Sequence, residues 1–165
     1  MEHTILSHLQ IQYKIERIAY QIYEANVNEN EIIIAGIDGG GLQFAKKIVS
    51  KLKKITEAKI TLCKLSMDKT NPLKSGVSTS MAEEEFVNKS VVIVDDVLNS
   101  GTTLIYGVHY FLKTPLKQLK TAVLVNRNHK KYPVKADYKG ISLSTSLQEH
   151  VNVRFETKND RVFLD

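Results

Sequence analysis

Two stretches of this chain, Glu31-Ile-Ile-Ile-Ala-Gly-Ile37 and Ser90-Val-Val-Ile-Val94, are almost unbroken runs of apolar, mostly β-branched residues. A strand with one face in water alternates apolar and polar side chains. Runs without that alternation belong to strands covered on both faces, as in parallel sheets sandwiched between helices. Helices able to do the covering are present. Ile11, Ile15, Ile18 and Ile22 recur at helical spacing and predict a helix from about Thr4 to Asn26. Phe44, Ala45, Ile48 and Leu52, interleaved with Lys46, Lys47, Lys51 and Lys53, describe a second. Further strands are expected at Ala58 to Ser66 and Thr121 to Asn126, with a helix from Gly101 to Lys113 that ends ahead of Pro115. Short strand-like pieces follow at Ala136 to Leu143, Val151 to Glu156 and Arg161 to Leu164. The alternation predicts an α/β fold, a doubly wound and mostly parallel sheet with helices on both faces. At 165 residues the chain has the size of one such domain, spanning 1–165.

In a doubly wound sheet, ligands collect at the carboxyl ends of the strands. Two turns fall on that edge. Val91 to Val94 leads straight into Asp95-Asp96, which places two adjacent carboxylates where a buried strand leaves the core, a position suited to sugar hydroxyls or a cation. Asn99-Ser100-Gly101-Thr102-Thr103 then brings a glycine, three hydroxyls and successive backbone amides to the start of a helix. Unpaired N–H groups and the helix dipole both favour a phosphate there. Simple helix capping by Ser100 or Asn99 needs only one such residue and leaves the paired carboxylates without a reason. The second turn is Asp38-Gly39-Gly40-Gly41. Two other phosphate motifs are missing: no Gly-x-x-x-x-Gly-Lys-Ser/Thr occurs, and Gly39 and Gly41 would open a Gly-x-Gly-x-x-Gly that closes on Phe44.

Between two predicted strands, Met67 to Asn88 contains Asn71-Pro72, Ser75-Gly76 and a Ser/Thr-rich stretch. A connection this long and polar inside a compact domain predicts a mobile flap. The net charge of +5 is unevenly spread. No acid stands between Val97 and Ala136, whereas Lys113, Lys117, Lys120, Arg127, Lys130, Lys131 and Lys135 all do. Such a block fits phosphates, RNA or an acidic partner, or else a solvated face. Cys63 is the sole cysteine and, beside Leu62 and Leu65, is expected to pack in a strand. His3, His8, His109 and His150 show no metal-ligand spacing, so no metal site is expected. With no apolar stretch near the ~20 residues of a bilayer span and no secretory signal core, a cytoplasmic protein is expected.

The motifs carry a resemblance. Val91 to Thr103 resembles the ribose-phosphate signature of type I phosphoribosyltransferases: four apolar residues, two acids and a short loop containing Thr/Ser-Gly. Ala122-Val-Leu-Val-Asn-Arg-Asn-His129, Pro133-Val-Lys-Ala-Asp-Tyr-Lys-Gly140 and Ser144-Thr-Ser146 are similar to one branch, the pyrimidine operon attenuation regulators that double as uracil phosphoribosyltransferases. The similarity runs from the first helix to the C-terminus.

The resemblance implies a phosphoribosyltransferase that binds 5-phosphoribosyl 1-diphosphate and transfers its sugar phosphate to a nucleobase, a pyrimidine such as uracil. It implies Asp95 and Asp96 at the ribose 2′- and 3′-hydroxyls, and Asn99, Ser100, Gly101, Thr102 and Thr103 around the 5′-phosphate. Asp38, Gly39 and Gly40 would form the pyrophosphate loop, and the flap would close over the reacting centre. Arg127 and His129 would lie in a small hood near the base, Mg²⁺ would arrive on the diphosphate, and the chain would form a homo-oligomer. The alternative it implies is an RNA-binding regulator that uses the same pocket as a nucleotide sensor, with Lys113, Lys117, Lys120, Lys130 and Lys131 as contacts. A third is an assembly partner that has lost both roles.

The chain also departs from the branch. Gly39-Gly40-Gly41 stands where the branch commonly carries Thr-Arg-Gly, and Asn99-Ser-Gly-Thr-Thr103 where it carries Tyr-Thr-Gly-Arg-Thr. The flap has Ser66-Met67-Asp68-Lys69 in place of a Tyr-Arg pair, with Lys69 or Lys74 available as substitutes. Asn126-Arg127-Asn128-His129 replaces Asp-Arg-Gly-His, and His129, isolated between Asn128 and Lys130, is expected in an exposed turn.

Overall fold

A computed structural model describes residues 2–165. In chain order the elements are β1 (His3–Leu6), α1 (His8–Glu24), β2 (Glu31–Ile37), α2 (Gly40–Ile55), β3 (Lys59–Ser66), α3 (Pro72–Ser75) and β4 (Ser78–Thr79). They continue with β5 (Ser90–Leu98), α4 (Thr102–Phe111), β6 (Gln118–Arg127), β7 (Tyr138–Leu143), β8 (Val151–Arg154) and β9 (Arg161–Leu164). The main sheet has the order β4-β3-β2-β5-β6-β7 and is parallel except for β4, which runs antiparallel to β3. A smaller antiparallel sheet has the order β1-β9-β8.

The unalternating strands behave as their composition requires. Ile32, Ile34, Val92, Val94, Ala122 and Leu124 pack beneath Ile11, Ile15, Ile18 and Ile22 of α1 and Phe44, Ile48 and Leu52 of α2. Their neighbours Ile33, Ala35, Val91, Ile93 and Val123 turn to the other face and meet Leu104 and Phe111 of α4. Each fully buried side chain of this size contributes about 1.5–3 kcal/mol, so both faces need their helices. The small sheet joins the first core through Val151, Val153 and Val162, and Phe155 stacks on Phe44 at 6.0 Å between ring centroids.

The order also fixes where a ligand fits. After β2 the chain crosses outward to β3 and later returns to place β5 on the other side of β2. The carboxyl ends of β2 and β5 therefore flank a topological switch point, where loops diverge and leave a crevice.

Two element boundaries differ from expectation, and the expected flap carries structure of its own. The helix expected from Thr4 begins only at His8, because His3–Leu6 pairs with β9 at the far end of the chain. Ser7 caps the helix in a reciprocal box with Gln10: Gln10 N donates to Ser7 Oγ at 3.4 Å and Ser7 N to Gln10 Oε1 at 2.9 Å. The segment expected as a mobile flap is folded over much of its length. It carries α3, pairs β4 with β3, and drives Phe86 from a 3₁₀ turn (Glu83–Phe86) into the second core, edge-on to Phe111 at 5.0 Å. The strand expected at Thr121 starts three residues earlier, at Gln118. Among the described residues no helix is long and apolar enough to cross a membrane.

Candidate functional site

β5 carries its chain through the core as far as Val94, which is fully buried, and then releases two carboxylates in succession. Asp95 is only 4% exposed. Its Oδ1 accepts the Asp96 amide at 2.9 Å and its Oδ2 accepts the Thr103 hydroxyl at 3.1 Å, while Asp96 Oδ1 accepts the Val97 amide at 2.9 Å. Burial first, and the Asp96 carboxylate second, push the Asp95 carboxyl up to about 8, against the opposing pull of Lys69. Burial and the neighbouring carboxylate thus both favour the protonated form of Asp95.

The loop after β5 is shaped by a glycine and by its own hydroxyls. Gly101 lies in the left-handed region, with φ of 87°, and a Cβ there would stand 2.6 Å from Val134 Cγ1, so glycine is required twice over. Ser100 Oγ sits 2.8 Å from Thr102 Oγ1 and accepts the Thr102 amide at 3.3 Å. The chain beyond β6 clamps the loop from behind, as the Lys131 and Tyr132 amides both donate to the Ser100 carbonyl, at 2.7 and 3.1 Å. Lys69, Thr70, Asp95 through Thr103, and Val151 of the small sheet line a cleft of about 340 Å³.

The glycine run after β2 has an equally local cause. A Cβ on Gly40 would stand 2.1 Å from Asp96 Oδ2, and one on Gly41 would stand 2.8 Å from the Val94 carbonyl oxygen and 2.9 Å from Asp95 Oδ1. The first turn of α2 is thus pressed against the two carboxylates, and only glycine allows that approach. Gly39, with φ of 96°, turns the chain between Asp38 and α2, and Lys69 Nζ stands 3.4 Å from where its Cβ would be.

Of the residues singled out by sequence, Asp95, Asp96 and Asn99 through Thr103 converge in this cleft, with Gly40 in contact behind Asp96. Arg127 lies elsewhere in character. It is 9% exposed, and its guanidinium donates to Asn99 Oδ1 at 3.0 Å, to Thr145 Oγ1 at 3.1 and 2.8 Å, and to the carbonyls of Ser146 at 3.3 Å and Glu149 at 2.7 Å. It braces the Asn99 to Thr103 loop against the segment after β7. His129 is not in an exposed turn: its ring is partly buried and Nε2 lies against the Thr145 carbonyl oxygen. The basic block divides. Lys113, Lys117 and Lys120 lie toward the amino end of β6, where Lys117 pairs with Glu29 at 2.7 Å, and Lys130 and Lys131 follow its carboxyl end. Sequence reasoning gives no site role to Thr145, although it falls within Ser144-Thr-Ser146, or to Val151; both reach the site only through long-range folding.

A parallel sheet whose switch point joins two carboxylates to a hydroxyl-rich helix start is the layout of phosphoribosyltransferases. The profile described as "Phosphoribosyl transferase domain" matches residues 2–158, and the chain belongs to that family. Over 163 residues it is 31% identical to the Bifunctional protein PyrR of Streptococcus pneumoniae, covering 95% of this chain and 92% of that protein. The resemblance drawn from the motifs is therefore borne out. Among solved structures, the hypoxanthine phosphoribosyltransferase of Trypanosoma cruzi superposes with a TM-score of 0.77 at 16% identity, covering 98% of this chain and 95% of that one. A hypoxanthine-guanine phosphoribosyltransferase (hpt-2) of Bacillus anthracis gives a TM-score of 0.72 at 24% identity, covering 90% and 84%. At those identities the likeness is one of fold, and the α/β architecture expected from the sequence is that fold.

Proposed function

We propose that the protein binds 5-phosphoribosyl 1-diphosphate in the cleft at the end of β5 and transfers the phosphoribosyl group to a nucleobase, a pyrimidine such as uracil, as a cytoplasmic homo-oligomer. The observation that carries this reading is the junction of Asp95 and Asp96 with the Asn99 to Thr103 loop in one cleft. A sugar with a phosphate at its 5′ end and vicinal hydroxyls needs that combination: anion-binding amides at one end and hydrogen-bond acceptors a few ångströms away. Asp95 and Asp96 take the ribose 2′- and 3′-hydroxyls, the amides and hydroxyls of Asn99, Ser100, Gly101, Thr102 and Thr103 take the 5′-phosphate, and Asp38, Gly39 and Gly40 face the diphosphate.

In the reaction, a base nitrogen forms its bond to the anomeric carbon as the bond from that carbon to the diphosphate oxygen breaks, and the proton that the nitrogen carried passes to solvent. Positive charge grows on the sugar, where the Asp96 carboxylate stabilises it. Mg²⁺ bound to the diphosphate would neutralise charge on the leaving group. The donor set fits an ion that arrives with its substrate: two adjacent carboxylates stand beside the cleft, and among the described residues no three His, Cys, Asp or Glu side chains form a cage. Arg127 acts behind the loop, holding Asn99 in place, and His129 fixes the backbone of Thr145, whose hydroxyl Arg127 grips.

Pyrophosphate release from 5-phosphoribosyl 1-diphosphate, Mg²⁺ and a panel of bases tests the reading. Asp95→Asn and Asp96→Asn should abolish transfer while the proteins remain folded by circular dichroism. Turnover unchanged in both would remove it.

A second reading, an RNA-binding regulator that senses nucleotide in the same pocket, draws on the relative's description as bifunctional and on the acid-free stretch from Val97 to Ala136.

A further inference from the structure

We infer that Lys69, presented by the Asp68 turn over Gly39, is the residue that grips the departing diphosphate. This rests on the proposed phosphoribosyl transfer and deepens it. The substrate carries phosphate at both ends of its ribose. The 5′ end is provided for by amides and hydroxyls, but the other end must be held beside two carboxylates, and the nearby loops contribute no cation: Asp38 to Gly41 has none, nor has Asn99 to Thr103. Among the residues lining the cleft, Lys69 alone is basic.

Its placement is specific. Lys69 Nζ lies against the Gly39 turn, 3.4 Å from where a Cβ would be, and its charge reaches the Asp95 carboxyl across the cleft. It therefore stands between the end of β2 and the end of β5, the two edges that enclose the switch point. Among the described residues it makes no ion pair within 4.0 Å. The residue is exposed, which suits a group that meets an incoming ligand.

The turn that presents Lys69 is built rather than loose. Asp68 Oδ1 accepts the Thr70 amide at 3.0 Å, the Thr70 hydroxyl at 2.7 Å and the Asn71 amide at 3.1 Å, closing the chain tightly around residue 69. Those bonds hold the Asp68 carboxyl below its ordinary range. On one side the turn is anchored by β3, and on the other α3 begins at Pro72. Glycine at 39 is required by its φ of 96°, and the Lys69 ammonium group rests within van der Waals range of the turn that this φ makes.

Calorimetric titration of the full chain with Mg²⁺ and three probes, inorganic pyrophosphate, 5-phosphoribosyl 1-diphosphate and ribose 5-phosphate, separates this role from a structural one. Lys69→Gln should weaken the first two by roughly 10- to 100-fold, the weight of one charge-assisted hydrogen bond, and leave ribose 5-phosphate unchanged. Lys69→Arg should recover most of the loss. Equal pyrophosphate affinity in wild type and Lys69→Gln overturns the inference, as does a parallel loss for ribose 5-phosphate. If the wild type binds 5-phosphoribosyl 1-diphosphate while Lys69→Gln binds it equally well, only the role of Lys69 falls. If the wild type binds none of the three probes, the transfer reading falls and takes this inference with it.

Discussion

Asp95 is the residue whose surroundings most alter its chemistry, and the change has a sign that stability measurements read directly. Its carboxyl is raised from 3.8 to about 8 in the folded chain, by burial and then by Asp96. A folded state that holds a proton more tightly than the unfolded one gains stability below the unfolded pKa and loses it as pH rises through the folded value. The loss should therefore run from about pH 4 to about pH 8. Asp95→Asn keeps the shape and the acceptor but cannot ionise. Its stability relative to wild type should rise across that window, by on the order of a few kcal/mol, since a tenfold change in proton affinity is worth about 1.4 kcal/mol. Urea denaturation of both proteins at pH 5 and pH 9 checks this, and a difference that stays constant with pH would show that Asp95 ionises as an ordinary carboxylate. Under the proposed transfer, the loss of activity expected of the same variant is the counterpart of that gain in stability: a functional site gives a reason to keep a poorly solvated acid at the end of β5.

At the scale of elements, the Asn99 to Thr103 loop is held from behind by Arg127, the side chain that the resemblance also places near the base. Arg127→Met would leave Asn99 Oδ1, Thr145 Oγ1 and the carbonyls of Ser146 and Glu149 without their donor. Hydrogen bonds to a charged donor are worth about 1.5–3 kcal/mol each, and Thr145 and Glu149 are half-buried while Asn99 and Ser146 can turn to water, so the denaturation midpoint should fall. With Asn99 released, KM for 5-phosphoribosyl 1-diphosphate should rise more than kcat falls. A change in base preference with KM for the sugar phosphate unchanged would instead return Arg127 to the base. The contrast shows what was legible. Asp95, Asp96 and Asn99 to Thr103 lie in nine consecutive residues, so their convergence is written locally. Arg127 and Thr145 are separated by an entire strand and meet only because β6 and β7 pair in parallel register. The same limit hid β1, whose partner β9 stands at the opposite end of the chain. Gly39 to Gly41 reads as a flexible turn in sequence, whereas two of those glycines are there because Asp95 and Asp96 approach α2 too closely for any side chain. Phe86 sits in a polar stretch that sequence reads as a flap, and only the presence of Phe111 on α4 explains its burial.

For the whole molecule, the distribution of charge decides between an enzyme alone and an enzyme that also binds RNA. The acid-free block is contiguous in sequence but not in space. β6 spans ten residues, Gln118–Arg127, and at about 3.3 Å each its ends lie roughly 30 Å apart. Lys113 and Lys120 belong to the end remote from the cleft, and Lys117 beside them is largely spent on Glu29. Lys130 and Lys131 belong to the cleft end, and the Lys131 amide is bonded to the Ser100 carbonyl of the phosphate loop. A regulator that senses nucleotide through this pocket must couple RNA to that loop, so its RNA-binding residues belong at the Lys130–Lys131 end. Lys130→Glu with Lys131→Glu should then weaken RNA binding, lower the dependence of log K on log salt by about 0.7 for each phosphate of a single strand that is no longer neutralised, and reduce the effect of added nucleotide. Lys113→Glu with Lys120→Glu should weaken binding, if at all, without altering the nucleotide effect. Fluorescence anisotropy of labelled RNA across a salt series measures both quantities. If neither double variant changes affinity or slope, the basic stretch is a solvated surface on both ends of β6, and the cleft stands as a phosphoribosyl transfer site without an RNA partner.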